Sequence, residues 1–254
     1  MYPIDASTYR SKAFNRRVRF LVLHYTAVNF NGSINALAKG GQVSAHYLIP
    51  DPSDTSFMAA GFDTMRTFSL VDEGERAWHA GVSAWAGRSN LNDTAIGIEL
   101  VNPASVSNGQ FVFPPYHPQQ VEALTQLSQA ILQRYPDITP TRVLGHSDIA
   151  IGRKSDPGAA FPWQALHQAG VGAWYEDARK THYQQQFATC MPEMKAVLDK
   201  LRTYGYSFPV SPDPVQVRAL LRAFQLHFRP SNFDGALDVE TAAIAFALVE
   251  RYMS

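Results

Sequence analysis

Arg142-Val143-Leu144-Gly145-His146, continued by Lys154-Ser155-Asp156-Pro157-Gly158, carries both the fold and a candidate site. A short apolar run that stops at Gly-His reads as a buried strand at its open end, with a turn after it. Imidazole and carboxylate are both zinc ligands, so His146 and Asp156 need one more partner to make an open three-ligand site. Phe20-Leu21-Val22-Leu23-His24-Tyr25-Thr26 is a second buried-strand run ending in a histidine, and it offers His24 as that partner. Each histidine alone also fits a hydrogen-bonded residue at a strand end. The two runs together favour a site.

Working outward, residues 1–16 are polar and read as an extended lead-in, and the first strand covers Arg17 to Leu23. A short helix over 33–39 and a strand over 44–49, stopped by Pro50-Asp51-Pro52, come next. Short strands and loops follow, among them Thr67–Val71 and Ala77–Gly81, and then the central strand Ala95–Val101. Residues 102–116 read as a long loop. Between Pro118 and Tyr135 the apolar positions Val121, Leu124, Leu127, Ile131 and Leu132 share one face, which predicts a helix. A short helix near Trp163–Gln168 closes this part. Alternating strands and helices with few hairpin signals imply an α/β domain with a central mixed β-sheet flanked by helices. Residues 171–190 are polar enough for a helical connector, and beyond them the pattern becomes three short helices, 194–204, 214–227 and 238–252. The expected division is residues 1–180 and a small three-helix domain over 186–254.

Composition narrows the function. The chain has 254 residues, 22 basic against 22 acidic, and 46 % hydrophobic residues. Zero net charge argues against broad electrostatic binding to nucleic acid or anionic membranes, though it leaves room for a local basic patch. Cys190 is the one cysteine, so neither an internal disulfide nor a thiolate zinc site is available. No stretch approaches the roughly 18 apolar residues of a transmembrane span. The start, Met1-Tyr2-Pro3-Ile4-Asp5, lacks a signal peptide's basic flank and apolar segment. The chain is then cytosolic, has lost a leader, or leaves by a specialised route.

Glu99 sits inside Ile-Gly-Ile-Glu-Leu-Val, where a carboxylate costs several kcal/mol unless it is paired or at the strand end. It reads either as a rim residue neutralised by an arginine or as a general base with a pKa raised by burial. Lys154 is either solvated or placed to steady a developing oxyanion.

The motifs His24 after a strand, Ser-Ala-His46-Tyr, Trp78-His79-Ala-Gly, Asn92-Asp-Thr-Ala-Ile-Gly-Ile-Glu99-Leu and Gly-His146-Ser-Asp…Arg-Lys154-Ser-Asp156-Pro-Gly form an ordered series. Over residues 15–170 it resembles the zinc-dependent N-acetylmuramoyl-L-alanine amidases. Residues 195–250 resemble, more loosely, a three-helix peptidoglycan-binding domain. The resemblance implies one zinc ion on His24, His146 and Asp156, with Glu99 as the base and Lys154 as the oxyanion partner. It implies as substrate the amide between N-acetylmuramic acid and the L-alanine of the stem peptide, in the sacculus or in 1,6-anhydro muropeptides. Peptidoglycan or its muropeptides would be the partner.

Trp78 and His79 are expected to line the substrate groove, with packing as the alternative for His79. Arg88 and Asn90, in the loop before the Glu99 strand, are expected to hold glycan or peptide carboxylates. His46 reads as supporting or structural, and His117, His167, His182 and His227 as solvent-facing or capping. Two other readings share the motifs: a non-catalytic peptidoglycan sensor, and a secreted wall-degrading antibacterial effector. A wall-binding domain has little use on small soluble fragments, so the periplasm is the expected compartment, by an export route the sequence leaves open. It leaves the oligomeric state open as well.

Overall fold

The computed structural model describes residues 1–108 and 110–253. Strand β1 (Phe20–Tyr25) leads into helix α1 (Phe30–Ile34), and β2 (Tyr47–Ile49), α2 (Thr55–Ala59) and β3 (Phe68–Ser69) follow. A small hairpin of β4 (Ala84–Trp85) and β5 (Arg88–Ser89) precedes β6 (Ala95–Leu100). A second hairpin of β7 (Ser105–Ser107) and β8 (Gln110–Val112) lies before the long helix α3 (Pro118–Arg134). Then come β9 (Val143–Gly145), α4 (His146–Ile149) and α5 (Trp163–Gln168).

The main sheet has the order β3-β2-β6-β1-β9 and is mixed, as expected: β2, β6, β1 and β9 run parallel, and the edge strand β3 is antiparallel. Leu21, Val22 and Leu23 are fully buried, which suits a strand covered on both faces. The register decides where the chemistry falls. His24 pairs with Glu99, and Leu23 pairs with Gly145, so His24, Glu99 and His146 reach the same level at the carboxyl ends of three adjacent strands. That edge is where open α/β sheets place ligand sites.

Helix α3 covers one face with Leu124 and Ile131. Its start is well made: the Nδ1 of His117 accepts from the Gln119 N–H at 3.2 Å, and Pro118 follows at a position where its missing N–H costs nothing. The buried Gln120 donates to the Val101 carbonyl at 2.9 Å and ties helix to sheet. Two elements differ from expectation. Helix α2, capped by Asp54, forms in a stretch read as strands and loops, because Phe57 can join Phe30, Phe62 and Phe68 in a satellite aromatic core. The stretch read as a long loop holds the β7–β8 hairpin, whose residues are mostly exposed and so carry no alternating apolar signal.

Four helices complete the chain: α6 (Asp177–Thr189), α7 (Met194–Tyr204), α8 (Pro214–Phe228) and α9 (Val239–Tyr252). Helix α6 lies in the stretch read as a connector, yet Tyr183 and Phe187 pack on Phe246 of α9 at 5.5 and 4.9 Å between ring centroids. The small bundle is therefore made of four helices, the first disguised by its polar exposed face. This layer shares a continuous core with the sheet layer. Across the seam Trp85 meets Tyr206 at 4.7 Å, and His227 stacks on Trp163 at 3.7 Å. His227 is buried, with its Nδ1 2.7 Å from Asp148, and neither faces solvent nor caps a helix. Among the described residues no helix is long and apolar enough to cross a membrane.

Gly97 in β6 is a close-approach position. An added Cβ there would lie 2.5 Å from Cγ of His79, inside any real contact distance. Gly97→Ala is expected to destabilise the fold by about 1–3 kcal/mol through overpacking and to displace His79. Chemical denaturation checks this, and an unchanged midpoint would mean the ring has free room to move.

Candidate active site

The Nδ1 atoms of His24 and His146 lie 3.0 Å apart, and Oδ2 of Asp156 lies 3.0 Å from each. All three side chains are buried. His24 comes from the end of β1, His146 from the step between β9 and α4, and Asp156 from the loop that follows. The Ser147 N–H fixes that loop by donating to the Asp156 carbonyl at 2.9 Å. Tyr25 and Ser155 pin it again through a 2.7 Å hydroxyl contact, as does Tyr116, which donates to the Pro157 carbonyl at 2.8 Å.

Proton counting shows what such a triangle can hold. The Nε2 of His146 faces the Ala80 carbonyl at 3.0 Å and so carries the ring proton, leaving a lone pair on Nδ1 of the neutral ring. The Nε2 of His24 lies 2.9 Å from Nδ1 of His79; with His24 donating there, its own Nδ1 is also a bare lone pair. Burial, followed by the neighbouring His146, holds His24 down at about 4, so it is neutral at ordinary pH. Two lone pairs and a carboxylate oxygen converging at 3.0 Å repel one another unless a cation lies among them. Three ligands about 2.0–2.1 Å from a tetrahedral ion sit about 3.3 Å apart, so the observed spacing fits a metal with little adjustment. Each histidine's outer nitrogen has a partner, the arrangement that orients metal-binding imidazoles.

His146 and Asp156 border a cavity of about 370 Å³, with His24 enclosed behind them. Glu99, Lys154, Trp78 and His79 also line it. Glu99 is half-buried; its Oε2 is enclosed and has no hydrogen-bond partner among the described residues. Burial first, then the charge of Asp156, pushes its carboxyl up to about 8, against the opposing pull of Lys154. Lys154 is exposed at the cavity edge. Trp78 is more than half exposed, with the Arg76 guanidinium 4.3 Å over its ring. His79 is buried behind His24, so it serves as the ligand's backing besides touching the cavity. Arg88 and Asn90 are not among the cavity's lining residues; Asn90 lines a separate groove beside Phe208 and Pro209.

The raised Glu99 pKa has a testable sign. The carboxyl ionises near 4.5 when unfolded and near 8 when folded, so the unfolded chain binds fewer protons between those values and stability falls as pH rises through that window. Chelator-treated Glu99→Gln is expected to match the wild type near pH 4 and to exceed it by about 2 kcal/mol at pH 8.5, a figure reduced for partial exposure. Thermal unfolding at both pH values checks this; equal stability at pH 8.5 would contradict it.

Several side chains support the site from behind. The Oδ1 of Asn92 accepts from the N–H groups of His79 and Ala80 at 3.1 and 2.7 Å and shapes the segment behind His24. Arg153 donates to the carbonyls of Ala80 and Val82 at 3.0 and 2.7 Å. His46 accepts from the Gly97 N–H at 3.0 Å, a structural use. Asp148 is fully buried and accepts from the Gly145 N–H at 2.7 Å, the Tyr206 hydroxyl at 2.6 Å and His227 at 2.7 Å. It thus links the His146 turn to the helical layer. Tyr206 and His227 lie too far along the chain for any local pattern to join them to Asp148.

Taken together, a metal-sized triangle of buried ligand atoms, an enclosed carboxylate and a cation at one cavity edge make up a candidate hydrolase active site. The sequence profile of the N-acetylmuramoyl-L-alanine amidases matches residues 14–159, and the chain belongs to that family. It hydrolyses the amide between N-acetylmuramic acid and L-alanine. The chain is 42 % identical over 253 residues to the N-acetylmuramoyl-L-alanine amidase AmiD of Escherichia coli, covering 99 % of this chain and 89 % of that one. It superposes on AmpDh3 of Pseudomonas aeruginosa in complex with anhydromuramic pentapeptide with a TM-score of 0.96, at 56 % identity and 99 % coverage of both chains. For E. coli AmiD in complex with anhydro-N-acetylmuramic acid-L-Ala-D-γ-Glu-L-Lys the TM-score is 0.86, at 42 % identity over 96 % of this chain and 93 % of that one.

Proposed function

We propose that this amidase holds one zinc ion on His24, His146 and Asp156, with Glu99 as its general base. The three ligand atoms at 3.0 Å from one another, two of them on residues that line the cavity together with Glu99, carry this reading. Two neutral imidazoles and one carboxylate are a donor set that suits zinc and leaves a coordination position open. Zinc in such a setting polarises the scissile carbonyl and makes water more acidic. Glu99 takes the proton of the attacking water and passes it to the leaving amine of L-alanine. Lys154 steadies the negative charge that develops on the carbonyl oxygen. Trp78 forms one wall of the groove, while His79 holds the ring of His24 in place.

The relatives solved with anhydromuramic peptides support 1,6-anhydro muropeptides as substrates here, in cell-wall turnover. We assign helices α7–α9, within residues 186–254, to peptidoglycan binding, with α6 packed against them; they would keep the enzyme on the polymer and raise the local concentration of cleavable bonds. Attachment to the sacculus favours the periplasm as its place of action.

The test is digestion of purified sacculi and of anhydro muropeptides by the zinc-loaded enzyme, with mass spectrometry of the soluble products. Free peptides beginning at L-Ala from both substrates are expected, and none after chelation. Cleavage at another bond, or cleavage that survives chelation, would refute this reading.

A further inference from the structure

A second groove of about 580 Å³ shares Arg153, Lys154 and Ser155 with the catalytic cavity. One bank is the loop bearing Arg153 and Lys154 with the β7–β8 hairpin; the other is helix α8. Val215, Arg218, Ala219, Arg222, Ala223 and Leu226 recur at helical spacing and give α8 a single face toward the groove, with the two arginines one turn apart. In a chain of zero net charge, four cations (Arg153, Lys154, Arg218 and Arg222) and no acidic residue line this groove. Among the described residues no carboxylate lies within ion-pair distance of any of the four.

The two α8 arginines are held in place without being neutralised. Nε of Arg218 donates to the Asp234 carbonyl at 3.1 Å, and Nε of Arg222 to the Phe233 carbonyl at 3.2 Å. Arg222 also lies over the Phe111 ring at 5.6 Å. Neutral carbonyls and a ring orient these guanidiniums and leave their charge for a ligand. Arg222 is half-buried and Arg218 exposed, and their positive charge is available to carboxylates.

We propose that this groove is a carboxylate subsite for the stem peptide of the substrate being cut, an inference that rests on the amidase reading above. A γ-linked glutamate, as in the peptide bound to E. coli AmiD, leaves its α-carboxylate free, and the peptide's end adds another. Two residues past the scissile amide span about 7 Å. Arg153, Lys154 and Ser155 border both cavities, so a stem leaving the metal edge passes directly between the banks. Charge on the leaving peptide then sets which substrates are cut well.

The test uses the zinc-loaded full chain and two probes: anhydro-N-acetylmuramic acid-L-Ala-D-γ-Glu-L-Lys, and the same peptide with both free carboxyls amidated. The wild type is expected to favour the charged probe by about 10-fold in kcat/KM, mostly through KM. R218Q/R222Q should lower kcat/KM about 10-fold on the charged probe and leave the amidated probe unchanged. R218K/R222K, which retains the charge, should retain most of the preference. A parallel loss on both probes, an unchanged R218Q/R222Q, or a preference lost equally in the lysine variant would overturn the subsite. A wild type that cuts neither probe would instead refute the amidase reading on which the subsite rests.

Discussion

Glu99→Gln is expected to lower kcat by about 10²–10⁴-fold, the usual effect of removing a positioned general base. The enclosed, unpartnered Oε2 gives the glutamine amide the same space, so the fold should be undisturbed. The zinc content should stay at that of the wild type, because the proposed ligands are His24, His146 and Asp156. Initial rates of peptide release from a muropeptide, measured beside metal per chain, check both halves. Loss of metal together with rate would show that Glu99 acts on the ligand set instead of on the proton. A rate within a few-fold of wild type would move the base elsewhere.

Asp156→Ala is expected to abolish both zinc retention and activity. Structural zinc sites with four ligands are worth about 10–16 kcal/mol, so one ligand carries roughly 3 kcal/mol, or at least about 10²-fold in affinity. The loss removes the only negative charge of the proposed ligand set, so the affinity should fall further still. His79→Ala is the informative contrast. It touches the metal only through Nε2 of His24, and such partners cost about 10–100-fold in affinity or activity when removed. Competition against a colorimetric zinc chelator ranks the variants, with Asp156→Ala weakest, His79→Ala intermediate and wild type tightest. Equal affinity for wild type and Asp156→Ala would exclude Asp156 as a ligand.

Much of the site was legible because buried parallel strands write themselves as apolar runs. Leu21–Leu23 and Val143-Leu144 stop at a histidine, so the residues at the sheet's carboxyl edge can be found by where hydrophobicity ends. Glu99 stood out for the same reason, as a charge inside an apolar strand. Lys154 and Asp156 were reached from the turn that follows the His146 strand, and the resemblance to the family then implied a single role for each.

What escaped depends on contacts between distant segments. Arg88 and Asn90 were placed near the site by their closeness to Glu99 in sequence, but neither is among the residues that line the cavity. His227 looked like any polar residue of an exposed helix until Trp163, Phe228 and Asp148 enclosed it. Helix α6 concealed its packing because Tyr183 and Phe187 are the few apolar residues on a polar helix. The basic groove combines residues 153–154 with residues 218–222, and zero net charge gave no hint that they gather on one face.

The most direct measurement is an X-ray structure of zinc-loaded protein with anomalous data collected on both sides of the zinc absorption edge. One peak within bonding distance of Nδ1 of His24, Nδ1 of His146 and Oδ2 of Asp156, present only above the edge, is the predicted result. A zinc peak bound elsewhere, with those three atoms still 3.0 Å apart and no ion among them, would contradict the assignment of the catalytic centre.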